Sequence, residues 1–272
     1  MPSTHVDWPS VAAADFPFPS HVAVRRLADE LSAMLVSSDP AVRDDHAYTA
    51  LARWTDEGYL DEVLVDIGDT SATRFTHPDI QARSFAALVL ARVLGRVSAV
   101  PRVVAEETAD RWYGAFAAWF PAEVDTRGWD DTLGWLHAVA HGADAAAAFA
   151  SVLPWRGSTL LDLCARRMTA KAAPHRYVQL EDARLARAIT TILFVPSLSV
   201  DEATGWLDTV AHAFAGAEPG PVPPWAFNTF ATLQSLHMHL ARGLAGRGMP
   251  THAEAVATRV VAVLRGPFPW LS

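Results

Sequence analysis

The sequence predicts an all-α protein, a single domain of about ten to eleven helices in antiparallel pairs resembling a HEAT-like or armadillo-like superhelix. Three observations carry this expectation. Apolar residues recur at helical intervals along nearly the whole chain, as at Val24, Leu27, Leu31 and Leu35. No stretch alternates with period two for long enough to specify a strand. Helix starts fall about 20 residues apart, so each pair spans roughly 40 residues, the length of HEAT and armadillo repeats. No strict motif recurs, and a closed toroid or an irregular bundle fits the same pattern.

Residues 1–19 carry Pro2, Pro9, Pro17 and Pro19, which predict an extended arm, with Trp8, Phe16 and Phe18 packing it onto the body. A helical domain over 20–272 follows, with no internal boundary. Its first helix lies in HVAVRRLADELSAMLVS. Asp39-Pro40 then places a cap residue before a proline and opens a second helix that Gly58 closes. A third runs from Leu60 to Phe75, a fourth follows Pro78, and a fifth follows Pro101. The loop PAEVDTRGWDD leads into a sixth, and the seventh (158–170) and eighth (181–194) come after Pro154 and Gly157. Ser199 to Glu202 and Thr251 to Glu254 each have capping-box spacing, predicting starts for the ninth and last helices. Between them, PGPVPP precedes a long tenth helix over 224–247.

Composition narrows the function classes. The chain has 272 residues, 51% hydrophobic and 19% charged, which excludes a disordered protein. A net charge of -8 argues against a nucleic-acid partner, because phosphate contacts require a basic surface. No apolar run reaches membrane-spanning length and no secretion signal opens the chain, so a soluble, cytoplasmic protein is expected. The single cysteine, Cys164, excludes an internal disulfide and a multi-thiolate zinc site. Its apolar helical setting predicts a buried structural thiol.

Candidate chemistry concentrates in DTRGWDDTLGWLHAVAHGAD (125–144). On a continuous helix, His137, His141 and Asp144 fall at i, i+4 and i+7, within about 60° of arc. Their surroundings are almost wholly apolar, so they face either a buried network or a pocket. Three chemistries fit: a structural polar network, a small-molecule or anion pocket, and a divalent-metal site using His137, His141 and Asp144. The metal reading is strained, since all three ligands come from one helix, and no HExxH motif is present. In the preceding loop, Arg127 is either a clamp for a carboxylate or phosphate or a turn partner of Asp125 and its neighbours. Asp130 or Asp131 is expected to cap the sixth helix. Trp129 is the one tryptophan expected at a pocket rim; the others are expected in helix–helix cores.

Two further sets complete the list. Arg83, on an apolar helix, calls for a carboxylate partner such as Glu181 or Asp182. His237 and His239 point about 160° apart on a helix and cannot share a ligand.

The blocks RDDHAYTALARW (43–54), RSFAALVLARVL (83–94), DTRGWDDTLGWLHAVAHGAD and LEDARLARAI (180–189) resemble the bacterial family called domain of unknown function 2785. HAVAHGAD is the most specific of them. The resemblance implies one all-helical unit and no established activity. The expected function is binding of a small molecule, peptide or protein partner near Asp125, Arg127, Trp129, His137, His141 and Asp144. The alternative is a hydrolase-like enzyme in which His137 and His141 bind a divalent metal, with Asp144 as a further candidate ligand, or act as acid and base, with Asp144 or Asp125 orienting them. No cofactor is otherwise called for.

Overall fold

The computed structural model describes residues 6–271. The chain is all-α, and its sole sheet among the described residues is a two-residue hairpin, Trp129–Asp130 with Gly134–Trp135. The part of the expected N-terminal arm at 1–5 lies outside the described residues. Within the rest, the extended reading is corrected over Trp8–Ala13, which form a short helix, α1. Asp7 caps it and Pro9 sits in its first turn, where a missing N–H costs nothing. Packing onto the body is as expected: Trp8 is buried, its indole N–H donates to Glu30, and the Trp54 indole donates to the Phe16 carbonyl.

Val24–Met34 form α2. After Asp39 the chain enters a π-helical stretch, Ala41–Tyr48, that runs into α3 (Thr49–Asp56). Leu64–Arg74 form α4, Ile80–Ala99 form α5, and Glu106–Trp119 form α6. After the hairpin come α7 (Ala138–Val152), α8 (Gly157–Met168) and α9 (Glu181–Ile192). The expected ninth helix is broken into α10 (Val200–Gly205) and α11 (Leu207–Ala215). The last two are α12 (Pro224–Arg242) and α13 (Ala253–Leu264).

One row positions everything that follows. Helix α5 packs along α7, α7 along α9, and α9 along α12. Helices α4, α6 and α8 back this row with a core in which Trp54, Trp112, Phe116, Phe120, Phe149 and Trp206 are fully buried. Cys164 is in that core, its thiol pushed up to about 12 by burial, so it is an inert packing group. Close approach is set by small residues. A Cβ on Gly142 of α7 would lie 2.2 Å from the Phe120 ring. No helix among the described residues is long and apolar enough to cross a membrane.

Candidate functional site

The sixth predicted helix starts later than its sequence suggests, and this changes the site. Residues 129–135 fold back as the hairpin, whose three-residue loop (131–133) is followed by Gly134 in the left-handed region (φ 71°). Loops of this kind close with a glycine, because only glycine takes that conformation without strain. Asp130 serves this turn: its Oδ1 accepts from the backbone N–H groups of Thr132 (2.9 Å) and Leu133 (3.0 Å). The expectation that Asp130 or Asp131 caps the helix is therefore corrected.

His137 itself is left-handed (φ 49°) and stands just before α7. The three candidate residues thus do not share a helical stripe; His141 and Asp144 are on α7 and His137 is its entrance residue. Its ring stacks on Trp135 (centroids 4.6 Å apart, planes at 5°) and lies 5.7 Å from the His141 ring. Nδ1 of His137 is 3.2 Å from Oε1 of Glu181, a buried carboxylate that also accepts from the Gln179 N–H. A carboxylate only accepts, so Nδ1 carries the proton. Gly128 makes room for this pair, since a Cβ there would be 2.1 Å from the Glu181 carboxylate.

His141 is buried, and its tautomer follows from its neighbour. The Ser84 hydroxyl spends its single proton on the Leu136 carbonyl. Its oxygen must therefore accept from Nδ1–H of His141, 2.8 Å away. Burial, followed by the nearby His137 and Arg184, drives the His141 pKa well below the usual 6.5, so the ring is neutral. Nε2 then carries a bare lone pair. Both histidines line a cavity of about 210 Å³ together with Asp44, Tyr48, Phe85, Leu88 and Trp135.

Asp144 belongs to a different set. It pairs with Arg184 of α9 and lines a larger groove of about 610 Å³ between α5, α7 and α9. Tyr48 and Leu88 border both spaces, so the histidine cavity opens beside the groove. The groove's floor is made of small side chains, among them Ala91, Ala147, Ala148 and Ala188, and its polar wall holds Arg92, Arg187 and Arg247. The expected three-ligand metal set is not brought together: Asp144 faces the groove and is bound by Arg184. Among the described residues, no group of three or more His, Cys, Asp or Glu side chains is placed to hold a metal ion.

The rim loop takes the turn-partner geometry. Arg127 donates to both Asp125 oxygens (2.9 and 2.6 Å) and also pairs with Asp130. Burial pushes the Asp125 carboxyl upward, but its hydrogen bonds from Arg127 hold it below the ordinary value. Neither Asp125 nor Arg127 lines the two cavities. Trp129, expected at a pocket rim, is exposed (45%) and edge-on to Trp135, but like Asp125 and Arg127 it lines neither cavity. Trp135 (43%) is exposed too, against the expectation of a core position, because the hairpin carries it out of the helix. Trp155 is likewise exposed.

Other pairings differ from expectation. Arg83 binds Glu123 in a two-pronged ion pair (2.6 and 3.1 Å), leaving Glu181 to His137 and Arg184 to Asp144. Neither His237 nor His239 lines the two cavities. The residue that sequence reasoning missed is Arg43. Fully buried, it pairs with Asp44 and donates to the carbonyls of Leu133 (2.6 Å) and Trp135, tying the π-helical stretch to the hairpin. Tyr48, Arg92, Arg187 and Arg247 gave no signal either, since isolated arginines and a tyrosine on amphipathic helices read as solvated or packing residues.

The model of the family described as "Protein of unknown function (DUF2785)" matches residues 73–238. This range contains the whole α5–α7–α9 wall of the groove and most of α12. No curated protein and no solved structure matches the chain.

Proposed function

The chain belongs to the DUF2785 family, and from that premise we propose that it is a binding protein whose small-molecule ligand occupies the groove between α5, α7 and α9. One observation carries the reading. A space of about 610 Å³, the size of ordinary ligand pockets, is lined by alanines from three neighbouring helices together with polar and charged side chains. The adjoining cavity, which shares Tyr48 and Leu88 with the groove, is lined by the neutral His141 ring, a hydrogen-bond acceptor at Nε2. The consecutive packing of α5, α7, α9 and α12 is what supports a HEAT-like reading of the fold. The reading includes a soluble, cytoplasmic bacterial protein, in keeping with the net charge of -8 and the family resemblance.

A second reading, an enzyme, is favoured by one feature: two neighbouring imidazoles whose Nδ1 protons are engaged and whose Nε2 atoms are free to act as base. No metal is needed in this version. In both readings, filling the groove removes function. Purified protein incubated with a metabolite extract should enrich a small molecule, and Ala147→Trp should lose it, because the indole occupies the groove floor. Chemical conversion of that molecule by wild type, absent in His141→Asn, selects the enzyme. Equal recovery by wild type and Ala147→Trp, or no enrichment, contradicts the groove as the binding site.

A further inference from the structure

The groove also identifies what its ligand carries. Resting on the reading above, we infer that the ligand is a small organic molecule bearing a multiply charged oxyanion, held by the guanidinium groups of Arg92, Arg187 and Arg247. Three arginines from three segments (α5, α9 and the turn after α12) line one space in a chain whose net charge is -8. The one carboxylate in the lining, Asp144, is answered from outside it by Arg184.

The three cations are not spent on one another's neighbours. Arg92 donates to the Tyr48 hydroxyl (3.1 Å), makes a long, exposed contact with Asp56 (3.4 Å) and feels the Asp144 carboxylate, whose direct ion pair is with Arg184. Arg247 lies with its guanidinium over the Phe194 ring (4.2 Å), which fixes its plane while leaving its N–H edges available. Arg187 forms no ion pair among the described residues. Stacking and hydroxyl contacts orient a guanidinium without neutralising it, and planar forks of N–H donors match phosphate and carboxylate oxygens.

Inorganic phosphate alone would leave most of the space unfilled. The remainder combines Leu88, Leu244 and the alanines with the hydroxyls of Tyr48, Ser151 and Thr191, and fits an organic body with some polar groups attached to the anion. Phosphate esters and polycarboxylates share the required chemistry.

Titration calorimetry of the full chain with sodium pyrophosphate and with citrate, at matched ionic strength, tests the assignment. Wild type should bind at least one of them, and Arg187→Gln and Arg247→Gln should each weaken that binding about tenfold, the usual worth of a charge-assisted hydrogen bond. Arg26→Gln, an exposed arginine on α2, should leave it unchanged. Tighter pyrophosphate assigns a phosphate-bearing ligand, and tighter citrate a carboxylate-bearing one. The inference is overturned if wild type binds neither anion, if both groove variants bind like wild type, or if Arg26→Gln weakens binding as much as they do. A neutral metabolite enriched by wild type and lost in Ala147→Trp would overturn the anion while keeping the groove.

Discussion

His141 must stay neutral to occupy its place, and this links the site to stability. Its native pKa lies well below the 6.5 of an unfolded chain, chiefly through burial. Between those two values the unfolded chain binds more protons than the folded one, so stability rises with pH across that window. The contribution is complete above about pH 6.5 and is lost as pH falls toward the native value. His141→Asn keeps a donor for Ser84 at the Nδ1 position but cannot titrate. We therefore expect the melting temperature of wild type to fall between pH 6.5 and 5, and the variant's profile to be flatter there. Parallel profiles would mean that His141 is not buried as a neutral ring. The carboxylates tied to arginine, such as Glu123 and Asp125, are held below their ordinary values and titrate under this window.

Helix packing offers a test of opposing magnitudes. Replacing Gly142 of α7 with alanine should gain about 1 kcal/mol of helix propensity. The new methyl, however, would press on the Phe120 ring at 2.2 Å, and Phe120 is buried and stacked on Phe116. Overpacking of this kind costs about 1–3 kcal/mol, so packing should prevail. Thermal melting of Gly142→Ala should give a transition several degrees lower; a higher one would show that the ring gives way freely. The same competition decides which elements could be read from sequence. Ser199 and Glu202 form the expected capping box because nothing else engages them. The identical spacing at Thr251 and Glu254 forms none: His252 becomes the entrance residue, with Nε2 bonded to the Leu198 carbonyl. A tertiary contact there displaces the local cap. Likewise, helical spacing of His137, His141 and Asp144 was legible, but the hairpin over 129–135 and the left-handed His137 override it. The π-helical start of 41–48 had no sequence signal, and neither did the contact that ties it to the hairpin, Arg43 reaching the Leu133 carbonyl about 90 residues away.

Across the chain, the helical class follows from periodicity, and unusual polar residues in an apolar setting point to the His137 and His141 cluster, while Asp125, Arg127 and Trp129 line neither cavity. What escaped is anything assembled from distant segments. The groove draws on the π-helical stretch, α5, α7, α9 and the turn after α12, and only folding makes neighbours of Tyr48, Asp144 and Arg247. Its alanines read individually as helix formers, and together they leave a space. That space is the centre of the account. The most direct measurement is NMR of protein labelled at alanine methyls, titrated with the metabolite that wild type enriches. The account predicts shifts at Ala91, Ala147, Ala148, Ala188 and Ala245, which line the groove. Shifts confined to Ala115, Ala118 and Ala122, which line a separate cavity beside Phe75 and Trp119, would contradict it, as would no shift at all.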